Sequence, residues 1–534
     1  MKSRALPLHA RLPACLPARL STRLSLVAAL ALTALAPTAQ AQSFSNVLQG
    51  ASLAWTHVHA ANNGGTAGFL SEIVAHDRVN GQLWVSGVTG IDVLDATTGS
   101  RIDHINTSAF GSVNSVAIHN GVAALALEAS ARTSPGTVQF YDTRTRQLTG
   151  SVTVGALPDM LTFTPDGSRV LVANEGTPSS YGARLADSGG HRNYGLSAQD
   201  PAGSVSIIDV RTRTVTATAT LGGVPTTGSH LRTNTGMDAE PEYIAVNRAG
   251  TQAYVSLQEA NGMGVLDLQT GTFSKVVGLG AKDFGAAGNS IDPLNNGTVK
   301  FSNVNAKGLY MPDGMAAMER NGQTYVLMAN EGDFREDDAD RSAGSSFGGT
   351  GELANLRVSN TDSSSGNLLA AGARSFSIRD ADGNLVYDSG DTLDKAAFEA
   401  GLYDDNRSRD KGVEPEGIEV LTLNGRTIAF VGLERTTQSA VAAFDVTDPT
   451  QVSFLRLLVA SGQQAPEGLE AFEQGGRYYL AWSAEGGSLN TGNRTTVFDL
   501  GAVAAVPEPG TYSLLLTALG LGAVIRRWRT KTAV

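Results

Sequence analysis

One short pattern recurs seven times along the chain, and it constrains the fold more than any other feature. Alternating apolar positions end in aspartate at Ile91 to Asp95, Val138 to Asp142, Val205 to Asp209, Gly264 to Asp267, Phe376 to Asp380, Val441 to Asp445 and Thr496 to Asp499. Alternation with a period of two marks a strand. The aspartate opens the turn that follows, as in Asp95-Ala96-Thr97-Thr98-Gly99, where a side-chain oxygen can accept backbone N–H groups. Upstream of several copies stands a pair of strands joined by a turn, clearest around Pro165-Asp166-Gly167-Ser168, Asn247-Arg248-Ala249-Gly250 and Asn424-Gly425. Two strands, the Asp-ended strand and one leading onward make a four-stranded unit, and seven units predict an all-β, seven-bladed β-propeller with long loop inserts. Two irregular sandwich domains are the alternative. The inserts fall at 176–202, 282–309 and 333–412, the last with Asp333, Glu336, Asp337, Asp338 and Asp340.

Composition agrees with many short strands and tight turns: 61 glycines, 6% aromatic residues and 17% charged residues. A net charge of −11 gives the body no electrostatic reason to seek nucleic acid, and cations are the expected partners.

The two ends read as addresses. Arg4, Arg11, Arg19 and Arg23 precede an apolar run and then Ala39-Gln40-Ala41, so residues 1–41 are expected to be a cleavable signal peptide, with the propeller at 42–500. The single cysteine, Cys15, lies in that leader, which excludes disulfides and thiolate metal sites from the body. At the other end Pro507-Glu508-Pro509 is followed by an apolar stretch and then Arg526, Arg527, Arg529 and Lys531. Residues 506–534 therefore resemble a PEP-CTERM sorting signal. That resemblance implies an exosortase-type enzyme as partner, a membrane contact through this segment, and a place on the envelope or outer surface of a Gram-negative bacterium. The apolar stretch is shorter than the roughly 20 residues of a full transmembrane helix.

Each unit carries an acid where its first strand begins: Glu72, Asp159, Glu242, Asp313, Glu416 and Glu467, with Asn114 in the second unit. A second acid stands where the second strand ends: Glu128, Glu175, Glu259, Glu331, Glu434 and Glu485. The separation is 18 residues for Asp313 and Glu331, for Glu416 and Glu434, and for Glu467 and Glu485. A strand out and a strand back bring both acids to the same end of the hairpin. About a dozen carboxylates are thus expected at one mouth of a central channel. Hard oxygen donors suit calcium or magnesium, and the expected ligands are Asp159, Glu175, Glu242, Glu259, Asp313, Glu331, Glu416, Glu434, Glu467 and Glu485. The alternative is that these acids cap turns. Asp380-Ala381-Asp382-Gly383-Asn384 reads as a hairpin turn rather than a calcium loop, and none of the eight histidines pairs at metal spacing. Arg335, Arg407, Arg409 and Lys411 are placed either to hold phosphate or to pair with local aspartates.

Leu157-Pro158-Asp159-Met160-Leu161-Thr162-Phe163, Val172-Ala173-Asn174-Glu175-Gly176, Ala329-Asn330-Glu331-Gly332-Asp333 and Lys411-Gly412-Val413-Glu414-Pro415-Glu416-Gly417 resemble the choice-of-anchor I family. The resemblance implies a surface β-propeller with varied anchors, sometimes labelled alkaline phosphatase-like. Two functions are open: a non-catalytic adhesion or matrix module that binds polysaccharide or protein, and a metal-dependent phosphoester hydrolase. No nucleophile or base identifies itself, so catalytic residues remain unknown.

Overall fold

A computed structural model describes residues 48–59, 69–180, 200–232, 239–334, 340–485 and 493–504. The leader (1–41), the Pro507-Glu508-Pro509 segment, Arg335, Glu336, Asp337 and Asp338 lie outside the described residues. Among the described residues no helix is long and apolar enough to cross a membrane.

The body is all-β. Among the described residues seven sheets of four or five strands follow one another along the chain, with first strands Val74–Asp77, Val113–His119, Pro158–Phe163, Pro241–Val246, Met315–Arg320, Pro415–Leu423 and Pro466–Gln474. Six sheets run consecutively outward from the first strand, and the fourth gains a fifth strand, Thr226–Ser229, parallel to its outermost one. The seventh is completed by the other end of the body: Ser52–Val58 pairs antiparallel with Arg494–Ala502.

Burial explains the residue choice along each sheet. Second and third strands are closed in on both faces, as in Gln82–Gly87, and read as continuous small and apolar residues. Outermost strands alternate, as in Thr214–Thr220, whose threonines face outward. The Asp-ended strand is the third strand of every sheet, and its aspartate caps the next turn. Asp95 Oδ1 accepts the backbone N–H groups of Thr97 and Thr98 at 3.0 and 2.8 Å, and Asp267 Oδ1 those of Gln269 and Thr270 at 2.8 and 2.9 Å. Asp380 likewise accepts Asp382 and Asn384, both at 2.9 Å, so that segment is a hairpin turn.

Apolar cores lie between successive sheets. Phe376 of the fifth packs on Phe444 of the sixth with ring centroids 4.7 Å apart. Val74, Leu83 and Leu94 of the first sheet share a core with Phe472, Ala481 and Val497 of the seventh. The first and last sheets are also joined through backbone, where Gly468 N–H donates to Glu72 O at 3.1 Å.

The expected insert 333–412 is not one loop, because Ser375–Asp380 and Leu385–Asp388 inside it are strands of the fifth sheet. The rest joins residues 281–309 in a side unit with its own core of Phe284, Ile291, Val304, Leu356, Val358 and Leu368. It also carries the one α-helix among the described residues, Thr392–Glu399.

Candidate functional site: an acidic mouth

The hairpin register places each acid pair. Pro158 pairs with Asn174, Pro241 with Leu257, Pro415 with Leu433 and Pro466 with Ala484, so the acid after each proline lies beside the second acid. In all four hairpins the register shifts just past the proline, a bulge that re-aims the acid. Two residues before the acid the backbone turns left-handed without glycine: Leu70, Leu157, Met311, Glu414 and Ala465 have φ of 49°, 46°, 45°, 51° and 49°. Non-glycine residues rarely adopt this conformation. Three of their carbonyls receive the backbone of the second acid, Glu175 N to Leu157 O at 2.8 Å, Glu434 N to Glu414 O at 3.0 Å and Glu485 N to Ala465 O at 3.1 Å, and Met311 O receives Gly332 N at 3.0 Å.

These pairs open on one cavity of about 510 Å³. Of the ten expected ligands, Asp159, Glu175, Glu242, Asp313, Glu331, Glu416, Glu434, Glu467 and Glu485 line it, together with Glu72. Glu259 does not line it, but it is near enough that its charge, after burial, helps to raise Glu242. Glu128 lines an adjoining cavity shared with Glu72, Asp159, Glu175 and Glu485. The second sheet has no acid at its first position, and Asn114 instead donates to Pro158 O at 3.3 Å.

Ligand-capable oxygens converge in three sets, each within 4.8 Å: Asp313, Glu331 and Glu416; Glu331, Glu414 and Glu434; and Glu416, Glu434 and Glu467. Burial pushes Glu416, Glu467, Glu242 and Asp313 well above the ordinary carboxylate range, and neighbouring carboxylates push them further. Burial, with Glu331 and Glu414 nearby, raises Glu434 to about 8, and burial raises Asp159 to about 6. Glu416, Glu434 and Glu467 bring carboxylate oxygens within 4.8 Å of one another. Like charges that close raise one another's pKa, and a proton or a cation offsets the repulsion.

Part of the mouth is already neutralised by residues the spacing did not reveal. Lys411 Nζ lies 2.6 Å from Glu331 Oε1 and 3.0 Å from Glu414 Oε2. Glu331 Oε2 accepts Gln258 Nε2 at 2.9 Å, so both oxygens of that carboxylate have a partner. Arg435 pairs with Glu434 at 2.6 Å, and Arg407 Nε with Glu414 Oε1 at 2.6 Å. Lys411 thus pairs with glutamates rather than with the local aspartates expected, and Arg407 pairs with Glu414 and, at 3.8 Å, with Asp410. By contrast Glu242 Oε2, Glu259 Oε2 and Glu416 Oε2 are buried with no hydrogen-bond partner among the described residues. Repeat spacing located the acids. Lys411 and Arg407 belong to the insert, where no period marks them, and Arg435 follows the second acid of the sixth sheet.

A second cluster escaped sequence reasoning altogether. His57, His59 and Asp92 bring ligand atoms within 4.8 Å of one another, which corrects the expectation that no histidines pair at metal spacing. The signal was present: residues two apart on a strand share a face.

No curated protein matches the chain. Among solved structures it is similar to the WD40 domain of coronin from Toxoplasma gondii, at 9% identity over 86% of this chain and 87% of that one, with a TM-score of 0.45. It is also similar to the β-propeller domain of Cps50 (Swd1) from Myceliophteria thermophila, at 10% identity over 84% and 99%, TM-score 0.42. Hydrazine synthase from Kuenenia stuttgartiensis aligns at 13% identity over 71% and 76%, TM-score 0.37. These likenesses carry no argument about activity. The model of the choice-of-anchor I domain matches residues 72–449, which span every acid pair but the last, and the chain belongs to that family.

Proposed function

We propose that this chain is an exported, surface-associated binding module whose seven sheets are the blades of one propeller and whose acidic mouth holds a divalent cation, calcium or magnesium. Family membership supports the surface association. The observation that carries the cation is the convergence of Glu416, Glu434 and Glu467 oxygens within 4.8 Å beside the buried, partnerless Glu416 Oε2. These three would hold the ion, and Asp313 and Glu331 also converge on Glu416. A hard ion with open positions can bridge to an anionic extracellular ligand such as a polysaccharide carrying carboxylate groups. The test is retention of the chain on an acidic polysaccharide matrix with calcium and its release by chelator. Retention that ignores chelator contradicts this reading.

A metal-dependent phosphoester hydrolase is the second reading. Lys411, Arg407 and Arg435 lining the same cavity as the carboxylates favour it, because such cations can receive a phosphate. Assays on phosphomonoesters and phosphodiesters, with and without chelator, separate the two: turnover lost on Glu416→Gln selects the hydrolase.

A further inference from the structure

Three of the eight histidines gather around one buried carboxylate beside the paired strands Ser52–Val58 and Arg494–Ala502. His57 and His59 stand at the end of the strand Ser52–Val58 that pairs with the last strand, with His57 opposite Thr495. Their rings lie 4.8 Å apart, centroid to centroid. Asp92 belongs to the third strand of the first sheet and is fully buried. Its Oδ2 lies 2.7 Å from His59 Nδ1 and its Oδ1 lies 2.8 Å from His104 Nδ1, with Arg101 at 3.7 Å. His59 Nε2 is 2.8 Å from Thr495 Oγ1, and the ring stacks on Phe69 at 4.6 Å. None of these residues lines the acidic mouth.

We propose that His57, His59 and Asp92 form a binding site for a borderline transition-metal ion, zinc being the representative, which ties the amino-terminal strand to the first sheet. Two imidazoles and one carboxylate are the donor set that zinc takes and calcium does not. Supporting groups are in place. Thr495 Oγ1 can accept a proton carried on His59 Nε2, which frees Nδ1 as a ligand, and His104 holds the second oxygen of Asp92. The ion enters by opening the short His59–Asp92 hydrogen bond. His57 is only half-buried, so water can complete the coordination from its side. Thr495 is fully buried, which rules out the other role that an Asp–His–hydroxyl row suggests, nucleophilic attack on a substrate.

The test uses the full chain, stripped with chelator and held in excess calcium so that the mouth does not compete. Zinc is titrated calorimetrically, and cobalt by its visible absorption. The expected result is one site per chain, weakened at least about tenfold in His57→Gln and unchanged in Glu416→Gln. His57 lies on an outermost strand, so its variant should melt like the parent in chelator. If zinc does not bind, or binds His57→Gln as it binds the parent, the proposal is overturned and the cluster is a hydrogen-bonded latch alone.

Discussion

Lys411 and Glu331 meet at 2.6 Å inside the acidic mouth, one from the insert and the other from the end of the strand Gln323–Asn330. Burial works against the Lys411 charge, yet Glu331 and Glu414 hold its ammonium well above the ordinary lysine range. Removing one partner of a buried pair costs about 3–5 kcal/mol, because the other charge stays behind without compensation. Lys411→Met should lower unfolding free energy by that order in denaturant titrations, and added calcium should restore part of it.

Gly332 and Gly372 face each other behind Glu331. A Cβ on Gly332 would lie 2.0 Å from Gly372 N, and its φ is +90°. Gly332→Ala should therefore push the insert away from the mouth and destabilise by about 1–3 kcal/mol, an overpacking cost. Thermal melts should show both the lower midpoint and a smaller response to calcium.

In a second cavity Glu419 and Glu470 are pushed by burial to about 7 and about 8, Glu470 also by its neighbour Glu419. Both folded values lie above the unfolded one near 4.5. Their neutral forms are thus favoured by folding, and stability should fall as pH rises from about 4.5 to about 8. Glu470→Gln should flatten that slope. An unchanged slope between those limits would contradict the buried placement.

The sorting reading rests on Pro507-Glu508-Pro509, the apolar run and the basic tail. Removing residues 506–534 should release the chain from the envelope to the medium, as fractionation and immunoblotting would show.

Much of the fold was legible because repetition writes the same physics seven times. Each Asp-ended strand is the third of its sheet, and each acid spacing is a hairpin length. The left-handed residues before the acids were not legible, since Leu157 and Ala465 carry no turn chemistry in their side chains. Lys411 stood out as a cation but its pairing with Glu331 and Glu414 did not, because Lys411 comes from an insert with no period. The His57, His59 and Asp92 cluster is assembled by closure of the chain ends, which spacing along the sequence cannot express.

The central claim is that the mouth carboxylates bind a divalent cation in the folded state only. The most direct measurement is a thermal melt of the full chain in calcium, in magnesium and in chelator, with Glu416→Gln alongside. Calcium at about 100 times its dissociation constant should stabilise the fold by roughly 2.7 kcal/mol, and Glu416→Gln should lose most of that gain. Identical midpoints in all three conditions would contradict the account and leave the acids as turn caps sharing protons.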